Sequence, residues 1–269
     1  MIKKEVEKIL QYVQKPARYV GGELNSVVKN PDEVALRYAF CFPDTYEIGM
    51  SHLGMKILYG LVNARDDAWC ERVFAPDTDM EELMRKNNIP LFALESGDYI
   101  KDFDIIGFTL QYELSYTNVL NMLDLAGIKL FSKDRTELTP IICCGGPCAC
   151  NPEPIADFFD IVFLGDGEET TEQVLDLLKY CKENGLSKHD FLLKAKDIRG
   201  IYVPSFYEPS YNDDGTLREL KPINGAPEKI KKAVVADMDS CYYPDKFVVP
   251  FINIVHDRAV EEIFRGCIR

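Results

Sequence analysis

Positive charge is scarce in this chain. Its 269 residues hold 31 lysines and arginines against 44 aspartates and glutamates, a net charge of −13. A phosphate backbone gripped over a wide area needs a basic face, so a broad nucleic-acid surface is not expected. Lys229, Lys231 and Lys232 form the one tight basic cluster, and it reads as a solvated linker. Long apolar runs are missing as well. No stretch of about 18 apolar residues occurs, which excludes a helical membrane span. The opening MIKKEVEKILQYV interleaves acids and lysines at helical spacing and lacks the apolar centre of a signal peptide. A cytoplasmic protein is expected. Phosphate-cradling loops are absent too: no G-x-x-x-x-G-K-[ST] occurs, and no G-x-G-x-x-G follows the first expected strand. There are no internal repeats or low-complexity tracts.

What is present is a core. The chain is 46% hydrophobic, enough for one large or two modest domains. Nine cysteines is an odd number, and in a cytosolic chain thiols stay reduced, so a disulfide framework is not expected. Cys41, Cys70 and Cys181 sit among apolar or helical neighbours and read as small core residues.

Strand and helix patterns alternate from residue 35 to residue 185. Strands are expected at 35–42, 68–75, in IPLFALES, and at 104–110, 139–146 and 160–169. Helices are expected over residues 1–15, after Ser51 as N-cap, in DTDMEELMRKNN, at 115–128 with Gly127 as its stop, and up to Gly185. The strands are continuous apolar runs and do not alternate. That pattern belongs to a mostly parallel sheet covered on both faces. After residue 197 the sequence GIYVPSFYEPSY–NDDG–TLRELKPI reads as a β-hairpin. A connector with the extended runs KKAVVADM and KFVVPFINIV follows, then a terminal strand in AVEEIFRGC.

In an open parallel sheet, ligands bind at the carboxyl ends of the strands. Four such ends carry unusual residues. The first holds Asp44, Thr45, Tyr46, Gly49, Ser51 and His52. The second holds Gln111, Glu113 and Ser115. The third holds Gly145, Gly146 and Pro147, and the fourth Gly165, Gly167 and Glu168. Glycines there let a ligand approach the backbone, and helix N-termini offer free N–H donors. GDGEE on its own is equally a turn with acidic helix-start residues. Four ends in register on one sheet edge point to a cleft. Glu47, Glu113, Asp166, Glu168 and Glu169 around it disfavour a bare polyphosphate. His52 is a candidate axial ligand to a metal-centred cofactor, and the plainer alternative is local hydrogen bonding at a helix start. Cys143, Cys144, Cys148 and Cys150 lack a C-x₂-C pair, and adjacent Cys143 and Cys144 point to opposite faces of a strand, so buried or loop thiols are the plainer reading than zinc. Cys267, beside Gly266 and Arg269, sits in a mildly cationic setting that favours thiolate and metal ligation.

HDRAVEEIFRGCIR resembles the entry to a radical S-adenosylmethionine (SAM) domain, where the first barrel strand runs into a C-x-x-x-C-x-x-C loop. GGPCACNPEPIADFFDIVFLGDGEET resembles the cobalamin-binding-like domain that precedes the barrel in one large group of radical SAM proteins. KPARYVGGELNSV, PDTYEIGMSHLGMKILY and GFTLQYELSYTNVLNMLDLAGI look like a subfamily of cobalamin-binding-type radical SAM proteins. The resemblance covers nearly the whole chain. It implies a Rossmann-like, doubly wound α/β domain over 30–196 after an N-terminal helix and loop (1–29), a hairpin subdomain at 197–223, and a connector at 224–269 ending in the first strand of the barrel. It further implies Cys267 as the first of three thiolates holding a four-iron four-sulfur cluster, S-adenosylmethionine as co-substrate, and 5′-deoxyadenosyl radical chemistry on an unknown substrate. Cobalamin is a candidate ligand of the α/β domain. The cobalt-ligating pattern D-x-H-x-x-G is absent: Asp44 lies eight residues before His52, and Gly54 follows two later. The rival expectation is a non-catalytic binding or scaffolding module without a corrinoid. One outcome is checked by reading the encoded sequence past Arg269: two further cysteines are expected at x₃ and x₂ spacing after Cys267, and other spacings would remove the cluster reading.

Overall fold

A computed structural model describes residues 2–266. Its centre is a six-stranded sheet built from β1 (Leu36–Phe42), β2 (Ala68–Phe74), β3 (Ile105–Thr109), β4 (Ile141–Gly145), β5 (Ile161–Phe163) and β6 (Ile201–Tyr202). The order is β2-β1-β3-β4-β5-β6, parallel throughout except for antiparallel β6 at the edge. This is the doubly wound arrangement that the continuous apolar strands imply. A separate antiparallel pair, β7 (Tyr207–Tyr211) and β8 (Leu217–Pro222), forms the expected hairpin.

Helices cover both faces. One face carries α1 (Lys4–Leu10), α4 (Thr78–Asn87) and α5 (Tyr116–Leu125) over Ala39, Cys41, Ile106, Ile142 and Cys144. The other carries α3 (Leu53–Asn63), α6 (Glu168–Glu183) and α7 (Lys188–Ala195) over Leu36, Phe40, Ile105, Ile141 and Cys143. A one-turn helix, α2 (Tyr46–Gly49), lies between β1 and α3. Successive residues of β4 fall on opposite faces, so Cys143 and Cys144 join different cores. Cys41, Cys70 and Cys181 are fully buried, as their neighbours suggest.

Several expected elements take other forms. The first helix ends at Leu10, well short of residue 15. IPLFALES is not a strand. Its backbone is spent on dispersed partners, Leu91 N–H to Leu125 O and Leu94 N–H to Arg72 O, with one bridge from Phe92 to Tyr99. Helix α3 is capped by His52 and not by Ser51. The His52 ring accepts the Met55 N–H at 3.1 Å, while Ser51 Oγ donates to Glu47 O at 2.7 Å and closes the preceding turn. α7 was not expected, although Ser187 and Asp190 form a full capping box at its start. Residues 259–266 form no strand, and Ile263 and Phe264 stand exposed. No helix among the described residues is long and apolar enough to cross a membrane.

A buried cation ties the loops to this frame. Arg72 of β2 is 2% exposed and lies between two carboxylates, Glu95 at 2.6 Å and Glu23 at 2.8 Å. Tyr46 donates its hydroxyl to Glu23 at 2.8 Å, and Met50 Sδ lies 3.2 Å from the guanidinium. Removing one partner from a buried ion cluster leaves uncompensated charge. Arg72→Met is therefore expected to lower unfolding stability in urea by about 3–5 kcal/mol. A loss below about 1 kcal/mol would mean that the cluster behaves like an exposed pair.

Candidate functional site

The cleft opens at the carboxyl ends of β1, β3, β4 and β5, and its cause is the row of small residues on the two central strands. Register sets Phe40, Gly107 and Cys143 side by side, and the next row on that face holds Phe42, Thr109, Gly145 and Phe163. Bulky residues on β1 and β5 flank glycine, threonine and cysteine on β3 and β4. A trough of about 340 Å³ results, roofed by Leu53, Ile57 and Leu58 of α3 and Thr171 of α6. Tyr38 reaches across its floor, and its hydroxyl occupies the space a Gly107 side chain would take. Burial raises the Tyr38 phenol and pushes the Cys143 thiol up to about 12. Cys143 is therefore a neutral thiol at neutral pH, poorly suited as nucleophile or metal ligand.

His52, Gln111, Gly145, Gly146, Pro147, Gly165, Gly167 and Glu168 all line this cleft. The other expected residues lie outside it. Asp44 accepts from the Tyr112 hydroxyl, and Thr45 is the N-terminal flank of α2. Tyr46 points into the Arg72 cluster. Gly49 packs against the Phe42 and Phe74 rings, and Ser51 takes the His256 N–H at 3.0 Å. Glu113 is exposed, and Ser115 closes a tight turn on Tyr112 O at 2.7 Å. Cys267 lies outside the described residues.

Both nitrogens of His52 are committed. Nδ1 accepts the Met55 N–H, so Nε2 carries the proton and donates to Gln111 Oε1 at 3.0 Å; Gln111 in turn donates to Thr109 at 2.5 Å. Burial holds the imidazole below its ordinary value of 6.5, against the opposing effect of Gln111. A neutral histidine with no spare lone pair does not fit the role of cobalt ligand in this arrangement. Among the described residues no group of three or more His, Cys, Asp or Glu side chains is placed to hold a metal ion.

Two glycines do work different from the one expected. Gly165, at φ +103°, is approached by the chain's own Ala233: a β-carbon there would lie 2.1 Å from Ala233 O. Ala233 bridges Leu164 and Asp166 through hydrogen bonds of 2.8 and 3.0 Å. Gly146, at φ +100°, abuts Leu110 O and so seats the β4 loop on the end of β3. The acidic rim is also thinner than the sequence suggests. Glu47 turns away to Arg18 and Lys15, both at 2.8 Å. Of the acids near the cleft, Asp166, Glu168 and Glu262 line it, together with Arg265, which contacts Glu168 and lies 2.8 Å from Glu262. Sequence reasoning missed Tyr38, Thr109, Thr171, Glu262 and Arg265. The first two carry a signal, since they share the period-2 face of the glycines; Arg265 arrives from a remote segment and carries none.

The fold is a doubly wound α/β domain with a cleft at the carboxyl edge of its sheet. The family model for radical SAM proteins, N-terminal, matches residues 54–204, more than half the chain. The chain belongs to this radical SAM N-terminal family. An uncharacterized protein of Methanocaldococcus jannaschii is 27% identical over 223 residues, covering 78% of this chain and 42% of that protein. The chain thus spans less than half the length of that relative. No solved structure matches it.

The His52 geometry has a measurable consequence. Its folded value lies below the unfolded one near 6.5, so the unfolded chain takes up the proton first as pH falls. The stability carried by this residue is present above 6.5 and is lost as pH drops through the interval down to the folded value. Long-range proton–nitrogen NMR is expected to show the Nε2–H tautomer at neutral pH, and His52→Asn, which keeps a cap, to flatten the stability profile in that window. A His52 that titrates above 6.5 would contradict the geometry.

Proposed function

We propose that this chain is the ligand-binding N-terminal region of a radical SAM enzyme, and that the trough over β3 and β4 receives a narrow, mostly apolar part of a cofactor or substrate. The observation that carries this is the set of small residues Gly107, Thr109, Cys143 and Gly145 on β3 and β4, next to the β1/β3 switch point of the sheet. Beyond the part that Tyr38 fills, they leave open a space that a parallel sheet otherwise packs. In the whole protein the family implies a four-iron four-sulfur cluster, S-adenosylmethionine and a barrel in the same chain, with Cys267 as one cluster ligand. That assembly would generate a 5′-deoxyadenosyl radical to abstract hydrogen from an unidentified substrate. On this reading the region without the barrel does not carry out that reaction.

Cobalamin is one guest whose tail suits such a trough. With both His52 nitrogens engaged, a corrinoid held here would lack a histidine bond to cobalt. The same observation favours the second reading, a binding or scaffolding module that takes no corrinoid.

Titration with hydroxocobalamin, followed by desalting, separates the two. On the corrinoid reading, corrinoid is retained with a visible spectrum lacking histidine ligation, and Gly145→Val abolishes retention. The added side chain would fill the trough, with a β-carbon only 3.3 Å from Phe163. No spectral change and no retained corrinoid would leave the module reading.

A further inference from the structure

A second cavity lies elsewhere on α3. It holds about 210 Å³, between α3, the strap that includes Asn25 and Val27, and the connector from Tyr242 to Val248. Its walls are largely apolar, with Val27, Met50, Met55 and Val248 among them. Lys56 and Lys246 line it as well. Lys56 is half-buried, and its ammonium lies 5.6 Å from the centre of the Phe247 ring. Among the described residues no carboxylate is paired with it, although acids outnumber bases 44 to 31 in the chain. Burial alone lowers its basicity, with no anion acting to raise it. Glu23 and Glu95 are held by Arg72, and Asp245, beside Lys246 on the connector, is exposed.

The Tyr242 hydroxyl, packed against Gly60 on α3, makes no hydrogen bond among the described residues. Asn63 is spent on the backbone of Cys70. The groups left for a guest are therefore chiefly donors: the half-buried Lys56 ammonium and a phenol in a largely apolar wall, with the exposed Lys246 beside them. A half-buried cation without a partner is costly, and an anion from outside would relieve that cost.

We propose that this cavity is a second ligand site, separate from the sheet-edge cleft, for a small carboxylate with an apolar body of a few carbons. The carboxylate meets Lys56 and Lys246, and the carbon chain lies against Met50, Met55 and Val248. Occupancy would brace the strap and the connector against the helix that also roofs the cleft.

Methyl NMR of the methionine-labelled chain tests this directly. Sodium hexanoate is expected to shift the Met50 and Met55 methyl signals saturably. Lys56→Met should weaken binding at least about tenfold, the loss of one charge-assisted contact. Lys56→Arg should retain binding, which separates loss of charge from loss of fold. Methyl hexanoate, without the charge, and inorganic phosphate, without the apolar body, should both bind more weakly than hexanoate. No saturable shift with hexanoate, unchanged affinity in Lys56→Met, or equal binding of the ester or of phosphate would each overturn the proposal.

Discussion

A cation buried in strand β2 organises the functional edge of this domain. Arg72 has no access to water, so it must be answered by carboxylates brought to it. Glu23 comes from the N-terminal strap and Glu95 from the loop before β3, while Tyr46 and Met50 come from the turn that follows β1. One guanidinium thereby fixes three loops that have no ladder of their own. The turn after β1 leads directly into His52 and α3, which roof the cleft. The same strap and helix, with the connector, enclose the Lys56 cavity, which Arg72 itself helps to line.

The cleft owes its form to packing and its chemistry to hydrogen bonds. Small side chains on β3 and β4 leave room that Phe40 and Phe163 do not fill. Around that room the polar groups are largely committed to each other: His52 to Met55 and Gln111, Arg265 to Glu168 and Glu262. The environment is weakly polar, with neutral thiol, phenol and imidazole groups. It suits recognition by shape and by a few donors more than it suits acid–base chemistry.

Much of the fold was legible from pattern. β1 to β5, α4, α5 and α6 lie where continuous apolar runs, the DTDMEELMRKNN pattern and the Gly127 and Gly185 stops put them. The failures have a common source, which is local signals outweighed by distant partners. IPLFALES has strand composition, yet its N–H groups find Leu125 and Arg72 instead of a ladder. Ser51 is a better cap by propensity than His52, but its hydroxyl is already used one turn back. VEEIF has strand composition, yet Val260 O takes the Tyr243 hydroxyl and no ladder forms. Gly165 was read as a place for a ligand to approach, and Ala233, 68 positions later, fills that place.

The sequence by itself determined the class of this domain. The period and length of its apolar runs allow little besides a parallel sheet covered on both faces. The glycine-rich strand ends were also plain in the sequence, since turn chemistry is local. Only the tertiary structure decided which of those ends converge, which glycines face open space and which face the chain itself, and that both nitrogens of His52 are in use. Those facts depend on contacts between residues tens to hundreds of positions apart, Arg72 with Glu23 and Arg265 with Glu168 among them. Such contacts are fixed by packing and by the need to neutralise buried charge, and neither leaves a mark in local sequence.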